Sequence, residues 1–566
     1  MCGIFALINN TASNNIIENN FNKGKSRGPE FSVLKNHKNI IFGFHRLAIN
    51  GLNSKSNQPF EINNCVLICN GEIYNFAQLA IDNKITLETD SDCEIILHLY
   101  KLYGIEYTIQ LLDGVFAFIL YDIQKNLLFI GRDPYGVRPL YYYIENNTIG
   151  FASEIKSLYS FPSRKNNICN FIPGHFMMIT DLNNKLTMDY SKYIAFPCFN
   201  NLDSINNNMN DINHLIVNKF MECVKKRTIG TTQRPIACLL SGGLDSSLVA
   251  CIVNSFINNA NNNANNINPK KIKLNTFSIG LEGSEDLKYA KIVAQHINSN
   301  HHEIVVSEQD FFDAIPEVIE KIESFDTTTV RASVGNYLVA KYIKENSDCK
   351  VIFNGDGADE LMGGYLYFKK CLCSQDFDFE CKRLLNDIYN FDVLRSDRSI
   401  SSNGLEPRTP FLDKQFVEFY LSIDKNLRYN TTINNCEKYL IRKSFSELMP
   451  DLVPEKILWR TKEAFSDGVS SLKRSWFEII KEKIQTNKEL HNELDNIIKS
   501  YKHMNFSNTK PITYEQAYYK YIYNKHYQGC DNLIPYYWMP RFIDSNDASA
   551  RTLNIYNEEN NNIEEK

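Results

Sequence analysis

Reactive chemistry begins at the second residue. Cys2 follows Met1 directly, and cysteine is small enough to permit Met removal, which would leave a thiol and a free α-amine on one residue. Such a residue carries its own base. The thiol attacks an amide carbonyl while the amine, with a pKa of about 7.7–8.0 in peptides, shuttles the proton. Far along the chain, Leu240-Ser241-Gly242-Gly243-Leu244-Asp245-Ser246-Ser247 joins two glycines to serine donors. Ahead of a helix N-terminus, that combination suits phosphate. It is not the GxxxxGK[ST] loop, because no lysine stands in the right place. A second loop, Asn354-Gly355-Asp356-Gly357-Ala358-Asp359-Glu360, gathers carboxylates. Beside phosphates these call for a cation, and Mg²⁺ takes a few carboxylates together with phosphate oxygens.

The elements that must hold these residues change character along the chain. Up to about residue 195, short apolar runs (Ile4–Ile8, Ile40–Phe44, Cys65–Cys69, Val115–Tyr121, Leu127–Ile130, Leu140–Ile144) are separated by turns, as in stacked sheets. One helix is expected from Ser91 to about Tyr103, opened by a Ser91/Glu94 capping box that sets Asp92 at its first position. Beyond residue 210, strands at Pro235–Leu240, Leu274–Ile279, Glu303–Val306 and Lys350–Phe353 alternate with helices around Leu287–Ile297, Phe311–Ile322 and Val334–Ile343. That alternation implies a parallel sheet with helices on both faces, whose ligands bind at the carboxyl ends of the strands. Both Gly-rich loops lie at that edge.

Met-Cys-Gly-Ile-Phe resembles the opening of the class II glutamine amidotransferases, which are N-terminal-nucleophile hydrolases. Arg27-Gly28-Pro29 resembles the family's Arg-Gly-Pro-Asp turn, with Glu30 in place of Asp. The resemblance implies that Arg46 holds the glutamine α-carboxylate. It also implies that Asn70 and the Gly71 amide form the oxyanion hole, that Glu72 lies in the same glutamine-binding segment, and that Asp92 receives the ammonium group. A guanidinium suits the first task, and preorganised donors the second. Singly, each residue has another reading: an incidental buried thiol at Cys2, a strand-edge charge at Arg46, a hairpin turn at Asn70-Gly71, or a helix-start charge at Asp92. Their order along the chain favours the amidase.

The loop at 241–246 resembles the SGGxDS pyrophosphate loop of enzymes that split ATP between its α- and β-phosphates. With Thr327–Ser333, Gly363–Phe368, Arg408–Asp413 and Lys462–Gly468, the chain is similar to the asparagine synthetases over nearly its whole length. That resemblance implies that Leu239 and Ile279 contact adenosine and that Ser241, Gly242, Gly243, Ser246, Asn354 and Gly355 line the nucleotide pocket. Asp245 and Asp359 would carry Mg²⁺, and Lys462 would neutralise phosphate charge. Asp356 would deprotonate ammonia, standing where several members have Glu, while Asn354 replaces the common Ser.

The expected fold is an α+β N-terminal-nucleophile sandwich (1–200), then an α/β parallel-sheet synthetase domain of the adenine nucleotide α-hydrolase type (201–545). A polar acidic tail (546–566), expected to be disordered, ends the chain. The expected substrates are aspartate, glutamine and ATP; a β-lactam-forming or other amide ligase is the alternative. A net charge of −5 excludes the electrostatic footprint of nucleic-acid binding, and no apolar run reaches membrane-span length. No secretory leader is expected, and fifteen scattered cysteines without CxxC pairs read as free thiols in a reducing cytosol. A homodimer is compatible with the resemblance. Asn-rich tracts at Asn206–Asn210, Asn258–Asn268 and Asn560–Asn562 are expected to be exposed and mobile, and the Asn-rich break near 197–213 is the expected linker between the halves.

Overall fold

The computed structural model describes residues 2–180, 182, 186–194, 208–263, 272–462, 465–470, 474–502, 508–545 and 547–552. Strands β1 (Gly3–Ile8), β2 (Phe31–His37), β3 (Ile40–Arg46), β4 (Phe60–Ile62), β5 (Cys65–Ile73), β6 (Gly114–Asp122), β7 (Leu127–Arg132), β8 (Tyr141–Glu145), β9 (Thr148–Ala152), β10 (Ile168–Asn170), β11 (His175–Thr180) and β12 (Thr187–Lys192) build the N-terminal domain. They form two antiparallel sheets, ordered β10-β8-β9-β1-β3-β2 and β12-β11-β7-β6-β5-β4.

Ile4, Ala6 and Ile8 of β1 and Phe42 and Phe44 of β3 meet Val66, Ile68, Ala117 and Ile119 of the other sheet, so one core fills the space between sheets. Phe5 and Leu7, pointing the other way, join a core that continues into the second domain at Phe277, Ile315 and Val330. Burial on both faces explains why β1 is an unbroken apolar run rather than an alternating one. The helix Ile95–Tyr103 covers the outer face of the second sheet through Ile95, Ile96 and Leu99.

The capping box expected at Ser91 does not form. Ser91 makes no side-chain cap bond, and Asp92 begins a 3-10 turn ahead of the helix. Glu94 is turned away to accept from the Glu88 and Thr89 amides, at 2.7 Å each. Amides of the preceding turn, five and six residues back, compete for that carboxylate and displace the capping motif.

The second domain has a five-stranded parallel sheet of β13 (Ile236–Leu239), β14 (Asn275–Leu281), β15 (Asn300–Val306), β16 (Val351–Phe353) and β17 (Glu406–Arg408), ordered β15-β14-β13-β16-β17. The chain moves outward from β13 to β15, then returns to pair β16 on β13's other side. The loops after β13 and β16 therefore leave a topological switch point as neighbours, where such sheets bind ligands. Pro407 sits in the edge strand β17, where a missing N–H is tolerated.

The expected linker is shorter than its composition suggested. Asn208 caps the helix Met209–Thr228, accepting from the Asn210 amide. Residues 258–263 likewise extend the helix that starts at Leu244, and the rest of that tract lies outside the described residues. The tail expected from 546 begins inside a packed segment: Asp547 pairs with Arg331 at 2.8 Å and Ser549 is buried against Asp467. Residues 553–566, with the third Asn-rich tract, lie outside the described residues. Among those described, no helix is long and apolar enough to cross a membrane, and all fourteen cysteines are free.

Candidate active sites

The first site lies where strand ends of the two stacked sheets converge. Gly3 pairs with His45, so Cys2 and Arg46 end neighbouring strands. Asn70, Gly71 and Glu72 close β5. The Cys2 nitrogen donates to Asn70 Oδ1 at 2.9 Å, and the thiol faces the Leu47 carbonyl at 3.8 Å. Asn70 is fully buried, and its Nδ2 has no hydrogen-bond partner among the described residues. A buried amide N–H₂ without a partner is costly unless a ligand supplies the acceptor. Gly71 is fixed by space: a Cβ there would lie 2.6 Å from the Val115 carbonyl oxygen.

Burial pushes the Cys2 thiol above its usual range. It also lifts the Asp92 carboxyl to about 6, although Asp92 accepts the Ile73 amide at 2.6 Å. Glu72 is raised well above the usual carboxylate range, by burial and then by Asp92. Arg46 is less free than its expected role implies. Its guanidinium donates to the Asn53 carbonyl at 2.9 Å, to Asn57 Oδ1 at 2.6 Å and to the Gly51 carbonyl. Glu30, where the family has Asp, accepts from the Ala48 amide at 2.7 Å and from Arg234 of the second domain at 2.7 Å. It thereby steadies the segment that carries Leu47.

The second site is a cavity at the switch point. It is lined by Leu239, Ser241, Gly243, Asp245, Ser246, Ile279, Asn354, Gly355, Asp356, Asp359 and Lys462, so nearly every residue expected from the two loops is brought together. Gly242 is the exception. It turns away with φ +72°, and a Cβ would meet the Ala290 nitrogen at 2.4 Å. The loops touch: a Cβ on Gly355 would lie 2.7 Å from that of Asp245. Ser241 and Ser246 hydroxyls bond each other at 3.0 Å, and the Gly243 amide donates to Ser241 at 3.3 Å.

Two lysines face two carboxylates. Lys438 donates to both Asp245 oxygens, at 2.8 and 2.6 Å, and to Asp359 at 2.7 Å, while Lys462 reaches Asp359 at 2.6 Å. Burial opposes ionisation of Asp359, yet the two ammonium groups overcome it and hold its carboxyl well below the usual range. Lys462 is likewise raised by Asp359 and Asp245 in spite of burial. Asp356 is raised by burial and is held by Arg395 at 3.1 Å. Its neighbour Asn354 donates to Ser396 at 2.6 Å.

Lys438 escaped the sequence reading, since a single lysine in a polar stretch forms no pattern. Arg408 was legible as part of a motif but not as a link. Its guanidinium lies 3.6 Å from Glu72, and its carbonyl accepts from the Asn354 nitrogen at 3.1 Å, so it touches both sites. Trp538, Pro540 and Ala548 from the C-terminal segment also wall the cavity.

Family models for a glutamine amidotransferase domain and for asparagine synthase match residues 1–191 and residues 216–382 with 374–500. The glutamine-hydrolysing asparagine synthetase of Gallus gallus is 40% identical over 577 residues, covering 98% of this chain and 99% of its own length. The chain belongs to the asparagine synthetase family. The Homo sapiens family member is 39% identical over 591 residues, with the same coverage. Among solved structures, a glutamine phosphoribosylpyrophosphate amidotransferase from B. subtilis is 16% identical, covering 54% of this chain and 81% of its own at a TM-score of 0.30, too low to bear on the fold. The synthetase carries an antiparallel-sheet domain across the amidotransferase match and a parallel-sheet domain within the asparagine synthase match.

Proposed function

We propose that this chain makes asparagine from aspartate, ATP and glutamine, with residues 1–200 as the glutaminase and 201–545 as the synthetase. After Met1 is removed, the Cys2 thiol attacks the glutamine side-chain amide while its own α-amine carries the proton. The oxyanion falls to Asn70 Nδ2 and the Gly71 amide, and ammonia leaves a thioester that water hydrolyses to glutamate. Asp92 and Glu72 receive the substrate ammonium. Arg46 takes its α-carboxylate by exchanging loop carbonyls for a charged acceptor, a stronger pairing for a guanidinium.

At the other site the aspartate β-carboxylate attacks the ATP α-phosphorus, forming β-aspartyl-AMP and pyrophosphate. Ammonia then attacks the acyl carbon, AMP leaves, and Asp356 takes the proton. Leu239 and Ile279 flank the adenosine, Ser241, Gly243 and Ser246 offer donors to pyrophosphate, and Lys462 with Lys438 offsets its charge. Asp245 and Asp359 would hold Mg²⁺. Their loops touch, and two carboxylates suit a hard cation that completes its shell with phosphate oxygens, once Lys438 and Lys462 turn from those carboxylates to the phosphates. Such an ion supplies charge neutralisation at the phosphates.

The two sites share an apolar interior. One core joins Leu47, Ile49, Tyr74, Val115 and Val137 to Leu240, Leu244, Phe353 and Leu412. A route through it keeps ammonia from being protonated by bulk water. The reducing cytosol suits the free thiols.

The observation that carries this reading is the meeting of the 241–246 and 354–360 loops in one cavity, in a chain that also places Cys2 beside an unsatisfied Asn70 amide. The test is the product of ATP cleavage. AMP and pyrophosphate should form only when aspartate is supplied. Formation of ADP, or of AMP with other amino acids but not aspartate, would overturn the reading in favour of a different ligase.

A further inference from the structure

Arg27 is buried at 0% exposure, and three of its contacts lie in different parts of the molecule. Its Nε donates to the Cys2 carbonyl at 3.0 Å. Its Nη1 and Nη2 grip Asp397 bidentately, at 2.7 and 3.2 Å, and Nη1 also donates to the Ser401 hydroxyl at 2.9 Å. Glu154 adds a longer pairing at 3.3 Å. Asp397 and Ser401 belong to the synthetase-domain helix Asp392–Ser401. The first turn of that helix faces the other site, because Arg395 holds Asp392 at 2.7 Å and Asp356 at 3.1 Å. Ten residues at about 1.5 Å each give a strut of roughly 15 Å with one catalytic centre at each end.

We propose that Asp397 is a positioning residue for glutamine hydrolysis: acting across the domain boundary through Arg27, it fixes the backbone of the Cys2 nucleophile. The proposal rests on Cys2 being that nucleophile. A planar fork clasped by a carboxylate has one orientation, and a guanidinium held so aims its Nε–H at a fixed point. That point is the carbonyl of the residue whose thiol must approach the glutamine amide and whose amine must reach the transferred proton. Displacements of about 1 Å at a reacting atom can cost about a hundredfold in rate. A pair that only joined the domains would need no contact with Cys2.

The test compares Asp397→Asn and Ser401→Ala with the parent enzyme in three assays: glutamine hydrolysis, ammonium-dependent asparagine formation, and the rate at which iodoacetamide alkylates Cys2. The neutral amide of Asp397→Asn cannot hold the guanidinium with charge, so kcat for glutamine hydrolysis should fall about tenfold or more while KM for glutamine stays within about twofold. Cys2 alkylation should slow in parallel, and ammonium-dependent synthesis should stay within about twofold. Ser401→Ala removes one neutral bond and should give a smaller fall, about two- to fivefold, in the same kcat. It also serves where Asp397→Asn does not fold. Loss of both activities together, a rise in KM alone, or unchanged hydrolysis in both variants would overturn the proposal. A Cys2→Ala control separates the two ideas: glutamine hydrolysis persisting there would remove the nucleophile assignment and the strut with it, whereas an inactive control beside an unaffected Asp397→Asn would remove the strut alone.

Discussion

Asp92, proposed above as the partner of the substrate ammonium, has its carboxyl raised by burial to about 6. Below that pH the group is neutral and the charge partner is lost. Since kcat/KM reports the free enzyme, the acid limb for glutamine hydrolysis that the Cys2 amine begins should steepen below about 6, to about a hundredfold per pH unit, as Asp92 also takes up a proton. A limb that steepens only near about 4 would show that Asp92 is not the group in question. At this scale much of the site was legible from residue type. Cys2 and Asn70 are brought together as their types suggested, and Asp245 and Asp359 share one cavity. The residues that were hidden are those defined by a distant partner. Lys438 becomes a site residue only because the helix Tyr439–Leu448 sets it, at φ +57°, against Asp245 and Asp359. Glu30 makes sense only beside Arg234.

Among elements, the C-terminal segment is the one whose part was least foreseen. The Trp538 nitrogen donates to Asp326 at 2.7 Å, the residue that caps the helix Thr327–Asn346, and the ring packs on Tyr365 and Tyr367 at the cavity wall. Asp547 then pins Arg331, a pairing that continues to Glu515. Trp538→Ala should raise KM for ATP or aspartate about tenfold, roughly 1.4 kcal/mol of binding, with glutamine hydrolysis unchanged. Equal KM values in the variant and the parent would show that the segment only covers the domain. The major strands were readable because both faces of β1, β5 and β6 are buried and their runs are continuous. Two of the edge strands were not. β12 is largely exposed and polar, and β17 is three residues with a proline, so neither carries an apolar signal.

For the whole molecule, the change of rhythm near residue 200 revealed two domains but not how firmly they are joined. Two hydrophobic cores draw residues from both. Buried Arg398 pairs with Glu154 and Glu323, at 3.0 Å each, tying the halves together through charges that no local pattern discloses. Heat should therefore unfold the described chain in one cooperative calorimetric transition. Two endotherms separated by about 10 °C or more would mean that the domains are independent units.

Asparagine formation from glutamine requires one nitrogen-releasing centre and one aspartate-activating centre working within a single chain. Replacing Cys2 by Ala and assaying asparagine formation from each nitrogen source separates them most directly. Glutamine-dependent synthesis should disappear while ammonium-dependent synthesis continues at a rate within about twofold of the parent. Asparagine still formed from glutamine, or both activities lost together, would contradict the division of labour described here.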